Sequence, residues 1–188
     1  MQRDLVEQAM AGDRDAFSEL ARAASGRLYV VARLILRDEG RAEDATQEAL
    51  VAAWRRLSGL RDPDRFEAWL HRLLVNACYR EARRSRRRGS IEIQVDALAM
   101  PEASPTPDQD FDLADRDQLE RGFRRLDVDQ RTVLVMHYYL GFSLDEAAEA
   151  LGIPPGTVRS RLHRAINAMR AALEADARPP MLSEGRPA

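Results

Sequence analysis

The sequence predicts an all-α fold: two small helical domains joined by an acidic segment. Three observations predict it. Apolar residues recur at steps of three and four through residues 3–87, and again from about residue 108 onward. No alternating apolar pattern of useful length argues for a strand, and no internal repeat or glycine-rich phosphate loop occurs. Between the two periodic blocks the helical pattern fades, and Pro101, Ser104, Pro105 and Pro107 collect. The expected organisation is a first domain over residues 1–89, a flexible linker over 90–107, a second domain over 108–177 and a tail over 178–188.

The elements follow in order. A first short helix is expected over residues 3–11, stopped by Gly12. A second begins near Asp13 and puts Phe17, Leu20, Ala21, Ala24, Leu28, Val31 and Ile35 on one face, with Gly40 ending that unit. The third, over residues 42–57, turns Ala42, Ala45, Ala49, Ala53 and Leu57 inward. A second stripe on it holds Asp44, Glu48, Val51 and Arg55, flanked by Gln47 and Trp54. A purely solvated face has no use for Val51 and Trp54; a partner surface and core packing of Trp54 both remain open. The fourth helix, over residues 64–87, buries Phe66, Leu70, Leu73, Leu74 and Ala77. Its other side offers Arg72, Asn76, Tyr79, Arg80 and Arg83.

In the second domain, residues 143–146 read Ser-Leu-Asp-Glu, a capping box that opens a helix with Leu144, Ala147, Ala148 and Leu151 inside. Gly152 breaks that helix, Ile153 and Pro154 turn the chain, and Pro155 suits the first turn of the next helix. That helix buries Val158, Leu162, Ala165, Ile166, Met169 and Leu173 and exposes Arg159, Ser160, Arg161, His163, Arg164 and Asn167. Ala148, Gly152 and Val158 supply the small residue, tight turn and interhelical contact of a helix-turn-helix.

Charge is segregated along the chain. The formal net charge is only −2 over 188 residues. Yet residues 1–90 hold 18 arginines against 14 acids, residues 91–117 one arginine against 8 acids, and residues 118–178 nine arginines against 8 acids. Six arginines and one acid fall between residues 80 and 88, more than a helix end needs to complement its dipole. Arginines contact phosphates, while Asn76 and Tyr79 beside them suit hydrogen bonding to, and stacking on, an unpaired base. The exposed side of the last helix suits guanine edges and phosphates of a major groove. All 29 basic residues are arginine, a bias that genomic base composition explains as well as function does.

Other classes are disfavoured. No apolar run reaches the length of a membrane span, and the N-terminus lacks the apolar core of a signal peptide, so a cytoplasmic protein without membrane insertion is expected. Cys78 is the sole cysteine and the three histidines are scattered, so neither a disulfide nor a metal site is expected. With no convergent nucleophile and base, the chain does not read as an enzyme, and no cofactor or small-molecule substrate is expected.

Residues 38–48, Asp-Glu-Gly-Arg-Ala-Glu-Asp-Ala-Thr-Gln-Glu, followed by Ala53-Trp54-Arg55, resemble the polymerase-binding segment of extracytoplasmic-function (ECF) sigma factors of the sigma-70 family. Residues 66–76, Phe-Glu-Ala-Trp-Leu-His-Arg-Leu-Leu-Val-Asn, resemble the family's next helix. Residues 156–165, Gly-Thr-Val-Arg-Ser-Arg-Leu-His-Arg-Ala, resemble its recognition helix. The three motifs stand in the family's order, over residues 4–88 and 108–174.

The resemblance implies a transcription initiation factor that binds bacterial core RNA polymerase and directs it to promoters. A sigma-2-like bundle would open the −10 element, and a sigma-4-like helix-turn-helix would read the −35 element. Asp44, Gln47, Glu48, Val51 and Arg55 would then face polymerase. Arg72, Asn76, Tyr79, Arg80 and Arg83 would address the opened strand, and Arg159, Ser160, Arg161, His163 and Arg164 the −35 duplex. The loop over residues 57–63 aligns with the segment that captures a flipped-out base. The acidic linker would thread through polymerase, or serve as a solvated spacer that stays off DNA. An anti-sigma factor is implied as a partner, seated between the domains. The alternative is a helix-turn-helix regulator whose N-terminal domain binds a signalling partner; it leaves the Asp44 stripe and the Arg72 face unexplained. A further reading, a pure interaction module, makes the basic faces mere solvated surface. Because residues 90–107 offer few apolar side chains for docking, the two domains are expected to move largely independently. Close packing would have to use Trp54, Val128 or Tyr139.

Overall fold

A computed structural model describes residues 2–87 and 113–176 of the chain, so the expected linker, the tail and Arg88 lie outside the described residues. The described residues form eight α-helices and no strand. Helices α1 (Gln2–Met10), α2 (Arg14–Leu36), α3 (Glu39–Arg56) and α4 (Phe66–Arg87) form the N-terminal unit. Helices α5 (Leu113–Arg124), α6 (Val128–Leu134), α7 (Leu144–Leu151) and α8 (Pro155–Asp176) form the C-terminal one. None of the described helices is long and apolar enough to cross a membrane.

Local chemistry sets the helix starts. The Asp13 carboxylate accepts from the Asp15 and Ala16 amides at 2.9 and 3.1 Å and caps α2. Asp38 caps α3 through the Arg41 amide at 2.8 Å. Reciprocal capping boxes open α6 (Asp127 with Gln130) and α7 (Ser143 with Glu146). Each satisfies amides that the first helical turn leaves without partners.

The break between α2 and α3 differs from the expectation. Gly40 lies inside the first turn of α3, and the turn is made by Arg37, which takes the left-handed conformation at φ 55°. Its amide donates to the Arg33 carbonyl at 2.9 Å, and Asp38 then starts the new helix. A strong cap two residues upstream outcompetes the glycine as punctuation. Gly152, by contrast, makes its turn as expected, at φ 63°.

The inward stripes are as expected. Ala42, Ala45, Ala49 and Ala53 are fully buried along α3, and Leu70, Leu74 and Ala77 along α4. Four alanines in register let these helices approach closely, and α3 against α4 is the most extensive helix pairing in the fold. Thr46, also buried, returns its hydroxyl to the Ala42 carbonyl at 2.7 Å.

The two units do not stand apart. One continuous apolar core runs from Val6 through Leu74 to Val158 and Leu162, with α6 packed on α2 and α7 on α4. The expectation of independent domains is therefore corrected. Of the three side chains set aside for such packing, Val128 is buried at the junction. Trp54 packs on Phe17 (centroids 5.0 Å apart) and Tyr139 remains half-exposed. Charged groups that no apolar pattern reveals add to this packing at the junction: Arg131 on Ile35, Arg72 on Glu149 and Arg161 on Tyr79.

Candidate nucleic-acid and polymerase interface

On α3, Asp44, Gln47, Val51 and Arg55 are exposed one helical turn apart, and Val51 is 49% exposed. Trp54, 38% exposed, lies beside them with one side of its ring against Phe17. Trp54 thus rests on Phe17 at the surface and is not part of the buried core. A large apolar pair ringed by polar groups on an otherwise charged surface is what a protein-binding patch presents.

Glu48 belongs to the same stripe, but its carboxylate is already occupied. Arg80 Nε donates to its Oε1 at 2.9 Å and Arg84 Nη1 to its Oε2 at 3.4 Å. The stripe of α3 and the basic face of α4 therefore meet at Glu48.

Along α4, Arg72, Asn76, Tyr79, Arg80 and Arg83 share one side of the helix. Arg80 and Arg83 are exposed, while Arg72, Asn76 and Tyr79 are partly buried. Arg72 reaches α7, with Nη1 and Nη2 at 3.3 and 3.4 Å from the two Glu149 carboxylate oxygens. Tyr79 accepts a hydrogen bond from Arg161 Nη1 at 3.1 Å. Burial, reinforced by Asp129 nearby, pushes its phenol up to about 12, so the ring stays neutral and keeps its donor.

The recognition-type helix α8 presents Arg159, Ser160, His163 and Arg164 to solvent. Arg159 sits 3.7 Å from Asp145, both highly exposed. Ser160 turns its hydroxyl back to the Thr157 carbonyl at 2.9 Å, and Arg164 Nε donates to the Ser160 carbonyl at 3.2 Å. Asn167 Nδ2 lies 2.9 Å from His163 Nε2. Arg161 departs from the expected exposed row. Its guanidinium points to Tyr79 and, 3.1 Å away, to Asp129, leaving it only 21% exposed. The period of α8 puts residue 161 at the margin of the buried stripe, and two polar partners draw it inward.

Two concavities lie on the basic side of α4. One, of about 290 Å³, is lined by Leu60, Arg61, Asp62, Arg65, Trp69, Arg72 and Glu146. It lies between the segment 60–65 and the face of α4, with Glu146 of α7 also lining it. Sequence reasoning passed over Trp69 as part of the helix; its indole and two neighbouring arginines suit a base and its phosphate. Only the spacing from Trp69 to Arg65 and Arg72 could have signalled it. The other, about 420 Å³, lies between the units, with Asn76, Tyr79, Arg80 and Arg83 on one wall. Val128, Asp129, Leu151, Ile153 and Arg161 form the other.

Comparison with known proteins places both halves. Residues 20–88 match the model for Sigma-70 region 2, and residues 116–169 that for Sigma-70, region 4. The ECF RNA polymerase sigma factor SigM of Mycobacterium tuberculosis is 33% identical over 162 residues, covering 86% of this chain and 79% of its own. Among solved structures, the sigma factor RpoE of Bartonella quintana, in complex with the anti-sigma factor NepR, aligns with a TM-score of 0.62 at 28% identity. That alignment covers 85% of this chain and 98% of the other. CnrH, in complex with the cytosolic domain of CnrY, aligns at 0.58 and 29% identity over 94% and 99%.

Proposed function

The chain belongs to the ECF RNA polymerase sigma factors, which bind core polymerase, promoter DNA and anti-sigma factors, and from that premise we propose how its faces divide the work. It is a transcription initiation factor that directs polymerase to promoters. In our reading the first domain (residues 1–89) binds core polymerase and opens the −10 element. The second (residues 108–177) reads the −35 duplex, and residues 90–107 join them.

Polymerase would dock on the α3 stripe of Asp44, Gln47, Glu48, Val51 and Arg55, with Trp54 completing the patch. The observation that carries this is the exposure of Val51 and Trp54 among charges at helical spacing. The opened strand would run along Arg72, Asn76, Tyr79, Arg80 and Arg83, and the −35 element along Arg159, Ser160, Arg161, His163 and Arg164. Unstacking and flipping a base costs on the order of a few kcal/mol. In this reading that cost is offset by aromatic and charged contacts to the extruded strand rather than by a hydrolysed nucleotide, so the protein acts by binding and not as an enzyme. It would act in the cytoplasm, where polymerase and promoters are.

Run-off transcription with core polymerase, on a template carrying the region upstream of the protein's own gene, tests the reading. A discrete promoter-dependent transcript is expected. Core polymerase giving the same transcripts with and without the protein would favour the helix-turn-helix regulator instead.

A further inference from the structure

Helical spacing sets Arg159, Ser160, His163, Arg164 and Asn167 along one exposed side of α8. Their side chains differ in what they offer a base edge. Arginine only donates hydrogen bonds, whereas a neutral imidazole has one nitrogen that donates and one that accepts. Which nitrogen carries the proton decides whether residue 163 favours an acceptor or a donor on the base. In the major groove guanine offers the O6 and N7 acceptors and cytosine the N4 amino donor. The two tautomers would therefore select opposite bases.

Asn167, one turn beyond His163, places its Nδ2 2.9 Å from the ring Nε2. An amide NH2 group donates and cannot accept, so Nε2 accepts and the ring proton sits on Nδ1. Nδ1 has no partner among the described residues, and both side chains are exposed. The acceptor of the ring is thus spent on its own helix, and its donor is left for DNA. Neighbours in the row are tied elsewhere. The Ser160 hydroxyl donates to the Thr157 carbonyl at 2.9 Å, and Arg164 Nε to the Ser160 carbonyl at 3.2 Å. Among the described residues, Asn167 is the one side chain hydrogen-bonded to the His163 ring.

We propose that Asn167 is a positioning residue for −35 recognition: it holds His163 in the Nδ1–H form, so that residue 163 presents a donor and selects guanine over cytosine at the base pair it meets. The inference rests on the reading of α8 as the −35 helix given above. Asn167 touches no base in it. Against cytosine, Nδ1–H would face a second donor, and both groups would lose water without gaining a partner. Releasing Nε2 would let the proton move to that nitrogen and free Nδ1 to accept from the cytosine amino group. A hydrogen bond to either base would then be open to the ring. The bond to Asn167 therefore matters to specificity more than to affinity.

Three variants of the full-length chain test this: Asn167→Ala, His163→Ala and the two together, with helical content checked by circular dichroism. All measurements are made at pH 8, above the ordinary titration of an imidazole at about 6.5. Long-range proton–nitrogen spectra of histidine-labelled protein show which ring nitrogen holds the proton, and the signal lost in His163→Ala identifies the ring. The wild type should carry it on Nδ1, and Asn167→Ala should move it toward Nε2. Holoenzyme binding is then measured on duplexes with the −35 element of the protein's own promoter, each pair set in turn to G·C and to C·G. At one position the wild type should prefer guanine about fivefold, and all three variants should lose that preference. The double variant should lose no more than His163→Ala does. A wild-type proton on Nε2 overturns the proposal, as does an Asn167→Ala variant that keeps the preference. Relaxation at a further position when Asn167→Ala is added to His163→Ala overturns it too, since Asn167 would then read a base itself. A wild-type holoenzyme that discriminates among none of these duplexes, with its proton on Nδ1, would remove the −35 reading of α8 and leave the His163–Asn167 pairing standing. Discrimination among them with the proton on Nε2 would do the reverse.

Discussion

Arg161 and Tyr79, eighty-two residues apart in sequence, share a 3.1 Å hydrogen bond that joins the recognition-type helix to the basic helix of the other unit. The bond makes Arg161 a poor first test of DNA reading, because its removal alters the junction as well as any base contact.

Arg159 is the cleaner probe. It is well exposed, and Asp145, with which it pairs, is itself 76% exposed, so Arg159→Ala should leave the melting temperature unchanged. Within the holoenzyme it should weaken binding to a −35 duplex by about 1–3 kcal/mol if it reads a base edge. Competition among duplexes altered one pair at a time checks this. Preference should relax at one position; an equal loss on every duplex would reassign Arg159 to a phosphate.

The polymerase face is best tested away from Glu48, whose reversal would set three cations together with Arg80 and Arg84. Asp44→Arg with Val51→Glu changes two exposed side chains and no core residue. Helical content should be retained while core polymerase is lost in a pull-down. Binding at wild-type strength would take the α3 stripe out of the interface.

The alanine seam makes a stability prediction. Ala49 is fully buried where α3 meets α4, so Ala49→Leu must force the helices apart or strain rotamers, costing about 1–3 kcal/mol. Urea unfolding should register the loss as a lower midpoint. An unchanged midpoint would mean that the seam has unfilled space.

His71 carries a pH dependence. Burial, as the largest cause, holds its imidazole below the ordinary histidine range, with Arg27 pushing the same way and Glu67 opposing. The unfolded chain therefore takes up a proton first as pH falls. Stability conferred by the neutral ring is present above the ordinary value, about 6.5, and is lost as pH falls from there toward the lower folded value. Melting temperatures of the wild type should drop across that window, and His71→Gln should flatten the drop. Equal slopes for the two proteins would place the titrating group elsewhere.

Much of the fold was legible because local signals agreed with one another. The helix starts at Asp13 and Ser143 and the turn at Gly152 need only neighbours within four residues, and the buried stripes need only the helical period. The α3 stripe was readable for the same reason. What could not be read were pairings between distant residues: Arg131 with Ile35, Arg72 with Glu149, Arg161 with Tyr79. A charged side chain looks alike in sequence whether it meets solvent, DNA or the other half of its own chain. Trp69 was hidden differently, as one more large residue on a helix whose period explained it already.

Arg37 sets a trap for anyone engineering this protein for robustness. Its left-handed backbone is the position where a stabilising design would place glycine, recovering about 1 kcal/mol of strain within the N-terminal half. The same residue extends its guanidinium toward Glu120 of the C-terminal half. Substituting glycine would toughen one half while loosening its hold on the other. A screen that selects for heat resistance at this residue would then select, unseen, for a weaker junction between the halves.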